Sequence, residues 1–235
     1  MQDHERETTA GGVAATAGVA LLTVGTWLHP MGADPNDARA AFTEYAADRL
    51  WVASHLMQLA GMVLLMVALL VLARVLGDGP AATWARVARA GATAGVALSA
   101  ALQAVDGIAL KNMVDAWAAA ADSAKPELFY AAFAVRQVEI GLASMLSLVL
   151  GLTVTLYGIA LRADPRFGAL LGWLAMAGGI ATACAGVVMA YTGFSDAEMM
   201  LNMPADALLL VWALMVGLRM SRVAVASGNG SSDVA

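Results

Sequence analysis

The sequence predicts an all-α fold, a polytopic transmembrane bundle of six helices with both termini cytoplasmic. Three features of composition and one of pattern carry that expectation. Hydrophobic residues make up 60% of the 235, charged residues only 13%, and mean hydropathy is +0.73. Apolar runs recur between short breaks rich in Gly, Pro and charge, and each is near the roughly 20 residues needed to cross a hydrocarbon core of about 30 Å. One membrane domain accommodates them all. The loops leave no room for a soluble catalytic domain, so an enzyme is not the expected class.

The elements follow in order. Residues 1–10 (MQDHERETTA) form a polar, acidic tail without the basic start of a signal peptide. The first helix is expected over 11–29, ending at Pro30, and Pro30, Gly32 and Pro35 mark a turn. DARAAFTEYAADR then reads as a short amphipathic helix outside the core. The second helix covers 50–76 and stops at GDGP; the third covers 84–110, amphipathic at first and apolar afterwards. KNMVDAWAAAADSAKP is a polar connection with helical tendency, and the fourth helix runs over 127–162. ADPRFG links it to the fifth, 168–191, and TGFSDAEMMLNMP leads to the sixth, 205–220. A Gly/Ser-rich tail, 221–235, reads as disordered.

Orientation follows from the cations flanking the segments. Arg6, Arg74, Arg86, Arg89, Arg162, Arg166, Arg219 and Arg222 collect on one side, which the positive-inside rule makes cytoplasmic. Arg39, Arg49, Lys111 and Lys125 lie on the other, diluted by acids that include Asp34, Asp37, Glu198 and Asp206. The spacings Gly91–Gly95 and Gly168–Gly172 read as close-packing sites of the Gly-x-x-x-Gly kind. ATAGVAL occurs at 15–21 and again at 92–98, an offset that places His29 over Asp106; it reads as a trace of hairpin duplication or as coincidence in an Ala-rich chain. The single Cys184 excludes an internal disulfide and reads as core packing.

Polar residues inside such a chain attract notice because an ionisable group at mid-membrane costs about 2.5–3.5 kcal/mol on insertion scales. Arg136 and Glu139 stand three apart on one helical face. They read either as an interfacial pair on an over-long helix or as a buried pair engaging Asp106 or a ligand. Ser99, Gln103 and Asp106 form a stripe on one face of the third segment, and Tyr191 ends the fifth at the same level. Counting from the arginines puts these residues in the outer third, around an outward-facing vestibule with an apolar floor. Arg136, Glu139, Asp106, Gln103 and Tyr191 are therefore the expected binding residues for a small molecule or ion.

His29 and His55 lie on consecutive antiparallel segments at similar depth, and His55 shares a face with Gln58. Two imidazoles can ligate haem b or copper, and Met199, Met200 and Met203 add thioethers suited to Cu(I). A membrane redox protein is thus one alternative function, and a structural or accessory subunit that packs against a membrane partner or its own copy is another. Trp27, Trp51 and Tyr130 fit an interfacial aromatic belt. Lys111 and Asp115 pair outside the core. No HExxH, nucleophile elbow, Walker loop or CxxC is present, no basic patch points to nucleic acid, and six helices with Lys111 outside the core argue against retinal.

The strings LHPMGADP, WVASHLMQLAG, DGIALK, VRQVEIG and PRFGALLGW together resemble an uncharacterised, actinobacterial-type family of small six-helix integral membrane proteins, a domain of unknown function. The resemblance spans about Gly11 to Arg219 in short phrases. It implies an inner-membrane location and contact with the lipid bilayer, and it adds no activity. His29, His55, Asp106, Lys111, Arg136 and Glu139 all fall within those phrases.

Overall fold

The chain is seen in a computed structural model that describes residues 2–232, with side chains over 4–224. It folds as α1 (Gln2–Leu28), α2 (Ala38–Ala47), α3 (Trp51–Val75), α4 (Ala82–Gln103), α5 (Lys111–Ala119), α6 (Lys125–Arg162), α7 (Ala169–Thr192) and α8 (Asp196–Ser232), with no strand among the described residues. A π-helical stretch, Ala104–Leu110, joins α4 to α5 without a break, so the third crossing is one rod from Gly79 to Ala119. Six helical rods are long and apolar enough to cross a membrane, as the sequence predicts.

Several ends differ from expectation. The polar residues after Gln2 extend α1 as helix, and KNMVDAWAA is α5. The last helix starts at Asp196, not near 205, because Pro204 is taken inside it. Pro204 lacks the N–H that would bond the fourth carbonyl back, which loosens that turn without ending the helix. α8 also runs past Met220 into the tail expected from 221, while 233–235 lie outside the described residues.

The turns have local causes. Asp37 caps α2, its Oδ1 accepting from Arg39 N at 3.0 Å and Ala40 N at 3.1 Å. The Glu44 carboxylate accepts from the backbone of Gly32 and Ala33, each at 2.9 Å, and so pins the loop before α2 to α2 itself. Gly168 and Gly193 bracket α7 with φ of 84° and 65°, a region open to glycine without Cβ strain.

The six rods form a closed ring in the order α1, α3, α4, α6, α7, α8 and back to α1. Its two most extensive contacts, α1–α3 and α6–α7, are seams of small residues at seven-residue spacing. Gly158, Gly151 and Ser144 of α6 face Gly172, Gly179 and Gly186 of α7, so closely that a Cβ on Gly172 would lie 2.7 Å from Gly158 O. Gly18 and Gly25 of α1 likewise face Gly61 and Ser54 of α3, each 2.9 Å from a backbone oxygen if given a Cβ. A seven-residue period keeps one stripe on the partner along antiparallel neighbours. The expected Gly-x-x-x-Gly pairs are therefore not the seams: Gly91 meets Thr153 of α6, Gly95 meets Met66 of α3, and Gly168 lies in the turn. Gly18 and Gly95, from the two copies of ATAGVAL, both abut α3.

The ring has two unlike ends. At the basic end, Glu7 pairs with Arg74, and Arg166 donates to Val75 O at 2.6 Å and to Asp164 at 2.7 Å. Arg219 donates to Arg166 O at 2.6 Å, which ties α8 to the α6–α7 turn. Above this end lies the main core, including Leu69, Leu72, Tyr157, Leu161, Trp212 and Met220. At the capped end, α2 packs on α5 in an aromatic cluster of Phe42, Tyr45, Trp51 and Trp117. Leu152, Leu170, Trp173 and Val211 point outward, as a lipid-facing surface requires. Cys184 is exposed on that same outer surface and not packed inside as expected.

Candidate functional site

Two layers stacked on the ring axis make up the site: a charged layer at the capped end and an apolar cavity beneath it. The charged layer is built on α3. His55 is 1% exposed, its Nδ1 lies 2.7 Å from Trp51 O, and its Nε2 lies 3.0 Å from Asp106 Oδ2. Asp106 stands in the π-helical stretch that follows Gln103, and like Gln103, which bonds Gln58, it meets α3. Gly107 permits the approach, since a Cβ there would come within 2.6 Å of His55 Cβ. Trp51 Nε1 closes the unit by donating to Asp106 O at 3.2 Å. Trp51, placed by expectation in the aromatic belt, is 1% exposed, whereas Trp27 at 80% and Tyr130 at 69% are exposed as a belt requires.

Arg136 and Glu139 are the second pair, at 3.8 Å, and both are buried, at 3% and 5% exposure. Of the two readings of this pair, the buried one holds. The cover comes from distant chain: Arg136 donates to Pro35 O at 2.9 Å and to the Tyr45 hydroxyl at 3.2 Å. Its guanidinium also lies 5.6 Å from the Tyr45 ring centre and 5.3 Å from that of Phe194. Lys111 Nζ bonds Tyr45 O at 2.8 Å and Ala46 O at 3.2 Å, and meets Asp115 at 2.9 Å. Two cations therefore lash the segment between α1 and α3 down over the ring. Burial raises the Tyr45 hydroxyl above its ordinary value, against the pull of Arg136.

His29 joins this layer from the end of α1, its ring 5.0 Å from that of His55 and 4.9 Å from Trp51. Its Nδ1 lies 2.8 Å from Pro30 O. Burial, and next the neighbouring His55, hold His29 below its ordinary 6.5. The expected convergence of the two histidines is present, but the donor set does not fit haem or copper. Both ring nitrogens of His55 are engaged, Met200 and Met203 are exposed, and no group of three His, Cys, Asp or Glu among the described residues is disposed to hold a metal ion. Tyr191 stands apart at 87% exposure, on a separate cleft of ≈ 340 Å³ that Arg136, Pro35 and Phe194 also line.

Below the charged layer, the ring encloses a cavity of ≈ 290 Å³. Leu22, Met62, Leu65, Leu150, Leu209 and Trp212 give it apolar walls, and Thr26, Gln58, Ser99, Gln103 and Asp206 form its polar part. It spans Thr26 to Ala15 on α1 and Asp206 to Val216 on α8, about 15 Å along the axis at 1.5 Å per residue. Gln103 donates to Gln58 at 3.3 Å, yet Gln103 Oε1 and Ser99 Oγ have no partner, and Ser99 is 1% exposed. Buried polar atoms without partners are rare in folded proteins, and on an apolar cavity wall they favour a polar guest.

Gln103, an expected binding residue, lines the cavity beside Gln58, whereas Asp206 was expected only among the acids flanking the segments. Asp206 lies ten residues inside α8, at the cavity. The signal was available in the spacing Glu198, Asn202, Asp206, a polar face at every fourth residue.

No family model matches the chain, and neither a curated protein nor a solved structure matches it. The resemblance drawn from short phrases stands on those phrases alone.

Proposed function

We propose that this chain is a multi-pass protein of the inner, cytoplasmic membrane that binds a small molecule in the axial cavity, with the charged layer as its roof. The observation that carries the reading is the pair of unpartnered oxygens, Ser99 Oγ and Gln103 Oε1, on the wall of an apolar space. An apolar cavity of this size with a few convergent polar groups is the usual form of a small-molecule site in a helix bundle. Arg136, Glu139 and Asp106 serve that site by holding the roof in place. The basic end, with Arg74, Arg166 and Arg219, is assigned to the cytoplasm by the positive-inside rule, which puts both termini there.

The test is comparative extraction. Wild-type protein purified in mild detergent is expected to carry a small molecule, found by mass spectrometry after organic extraction. Ala213→Phe, which fills the cavity from α8, is expected to lose it while keeping its helical content. Identical extracts from the two proteins overturn the reading.

A further inference from the structure

The acids and bases of the charged layer are matched in pairs, and the acid at the cavity is not. His55 faces Asp106, Arg136 faces Glu139, and Lys111 faces Asp115. Asp206 meets no cationic side chain among the described residues. Its hydrogen-bond partner is the Asn202 amide, 3.1 Å away. Every other residue lining the cavity, from α1, α3, α4, α6 and α8, is uncharged. α7 carries no Asp, Glu, Lys, Arg or His, and His29, just beyond Thr26, is turned toward Trp51 and His55. The one acid near Asp206 is Glu198, two turns toward the capped end on the same helix, 2% exposed and with Oε1 unpartnered.

Asp206 is exposed to this half-open cavity and is the one charge on its wall, so a cation that enters meets a carboxylate that no protein cation already holds. The chain supplies no counter-ion. We propose that the cavity ligand is a lipophilic cation, a slender ammonium-type amphiphile whose positive group pairs with Asp206 while its apolar body lies between α1, α3 and α6. This rests on the cavity-binding reading above and specifies its ligand. Two further observations agree. The unpartnered oxygens of Ser99 and Gln103 can turn lone pairs to a cation, and a space about 15 Å tall with a volume of ≈ 290 Å³ is long and narrow. Charge balance gives the proposal its pH behaviour. When Asp206 carries a proton, the cation displaces it to water on binding, so proton and cation compete for one carboxylate.

The experiment is equilibrium binding of tritiated phenylbutyl-trimethylammonium, and of its uncharged isostere with carbon in place of nitrogen, to the full chain in nanodiscs, with empty nanodiscs subtracted. The expected result is a preference for the cation of about tenfold or more, a difference of the size expected for one favourable charge contact. That preference weakens as pH falls. Asp206→Asn abolishes the preference and its pH dependence while leaving isostere binding unchanged, and Asp206→Glu, which keeps the charge, retains the preference. Equal binding of the two compounds by the wild type, or a preference that survives in Asp206→Asn, overturns the cation assignment and leaves the cavity reading standing. Binding of neither compound, or binding undiminished by Ala213→Phe, overturns both.

Discussion

His55 Nε2 and Asp106 Oδ2 lie 3.0 Å apart and tie α3 to the π-helical stretch. Ser54 Oγ donates to Trp51 O at 2.7 Å, and His55 Nδ1 lies 2.7 Å from the same carbonyl, which can only accept, so Nδ1 carries a hydrogen. Nε2 is then the ring nitrogen left to meet the carboxyl oxygen of Asp106. Asp106→Asn is expected to preserve folding closely, because the amide can donate to a neutral Nε2. Asp106→Ala leaves a buried ring nitrogen unpaired and is expected to cost about 1–3 kcal/mol. Thermal unfolding followed by tryptophan fluorescence ranks the two; equal losses would falsify this contact as the partner of the ring nitrogen.

Gly107 exists for the sake of His55. Gly107→Ala places a methyl group within 2.6 Å of His55 Cβ, so α3 and the π-helical stretch must part. Overpacking of this kind costs about 1–3 kcal/mol. The further loss from Gly107→Ala is expected to be smaller in a His55→Gly background, which has no Cβ for the new methyl group to meet. Additive losses in the double variant would place the strain elsewhere.

Arg136 and Glu139 test what holds the roof. Removing one member of a buried ion pair strands the other and costs about 3–5 kcal/mol, whereas replacing both with apolar residues of similar size is close to neutral. Arg136→Met and Glu139→Gln are each expected to lower the melting temperature, Arg136→Met by more, since it also forfeits bonds to Pro35 O and the Tyr45 hydroxyl. Arg136→Met combined with Glu139→Leu is expected to recover part of the loss. An unchanged melting temperature in Glu139→Gln would mean that the pair stands in solvent.

How far the sequence could be read depends on where each constraint comes from. The six crossings were legible because bilayer thickness acts on each apolar run independently, and the turns were legible in Pro30 and in the breaks GDGP and ADPRFG. The convergence of His29, His55 and Asp106 followed from counting depth along antiparallel rods. Burial of Arg136 was not legible, because its cover, Pro35 and Tyr45, lies about a hundred positions earlier and arrives through tertiary folding. The π-helical turn at Asp106 leaves no mark in residue type, so the bond of Asp106 to His55 was not legible. Asp206 was missed because Pro204 was read as a boundary when the chain takes it inside α8. The seven-residue glycine spacing of α6 and α7 was present in the sequence, obscured by the better-known four-residue spacing at Gly168 and Gly172.

His29 supplies the pH dependence of the capped end. Its value is lowered from 6.5 by burial and by His55. Between that lowered value and 6.5 the unfolded chain binds more protons at this position than the folded one, so stability rises with pH across that window. The contribution is fully present above 6.5 and is lost as pH falls through the window toward the folded value. The melting temperature is therefore expected to drop when purified protein is taken from about pH 7.5 to about pH 5.5. In His29→Asn, which cannot take up the proton, the same change of pH is expected to have a smaller effect. Identical pH slopes in the two proteins would remove His29 as the source and point to the other ionisable groups of the roof.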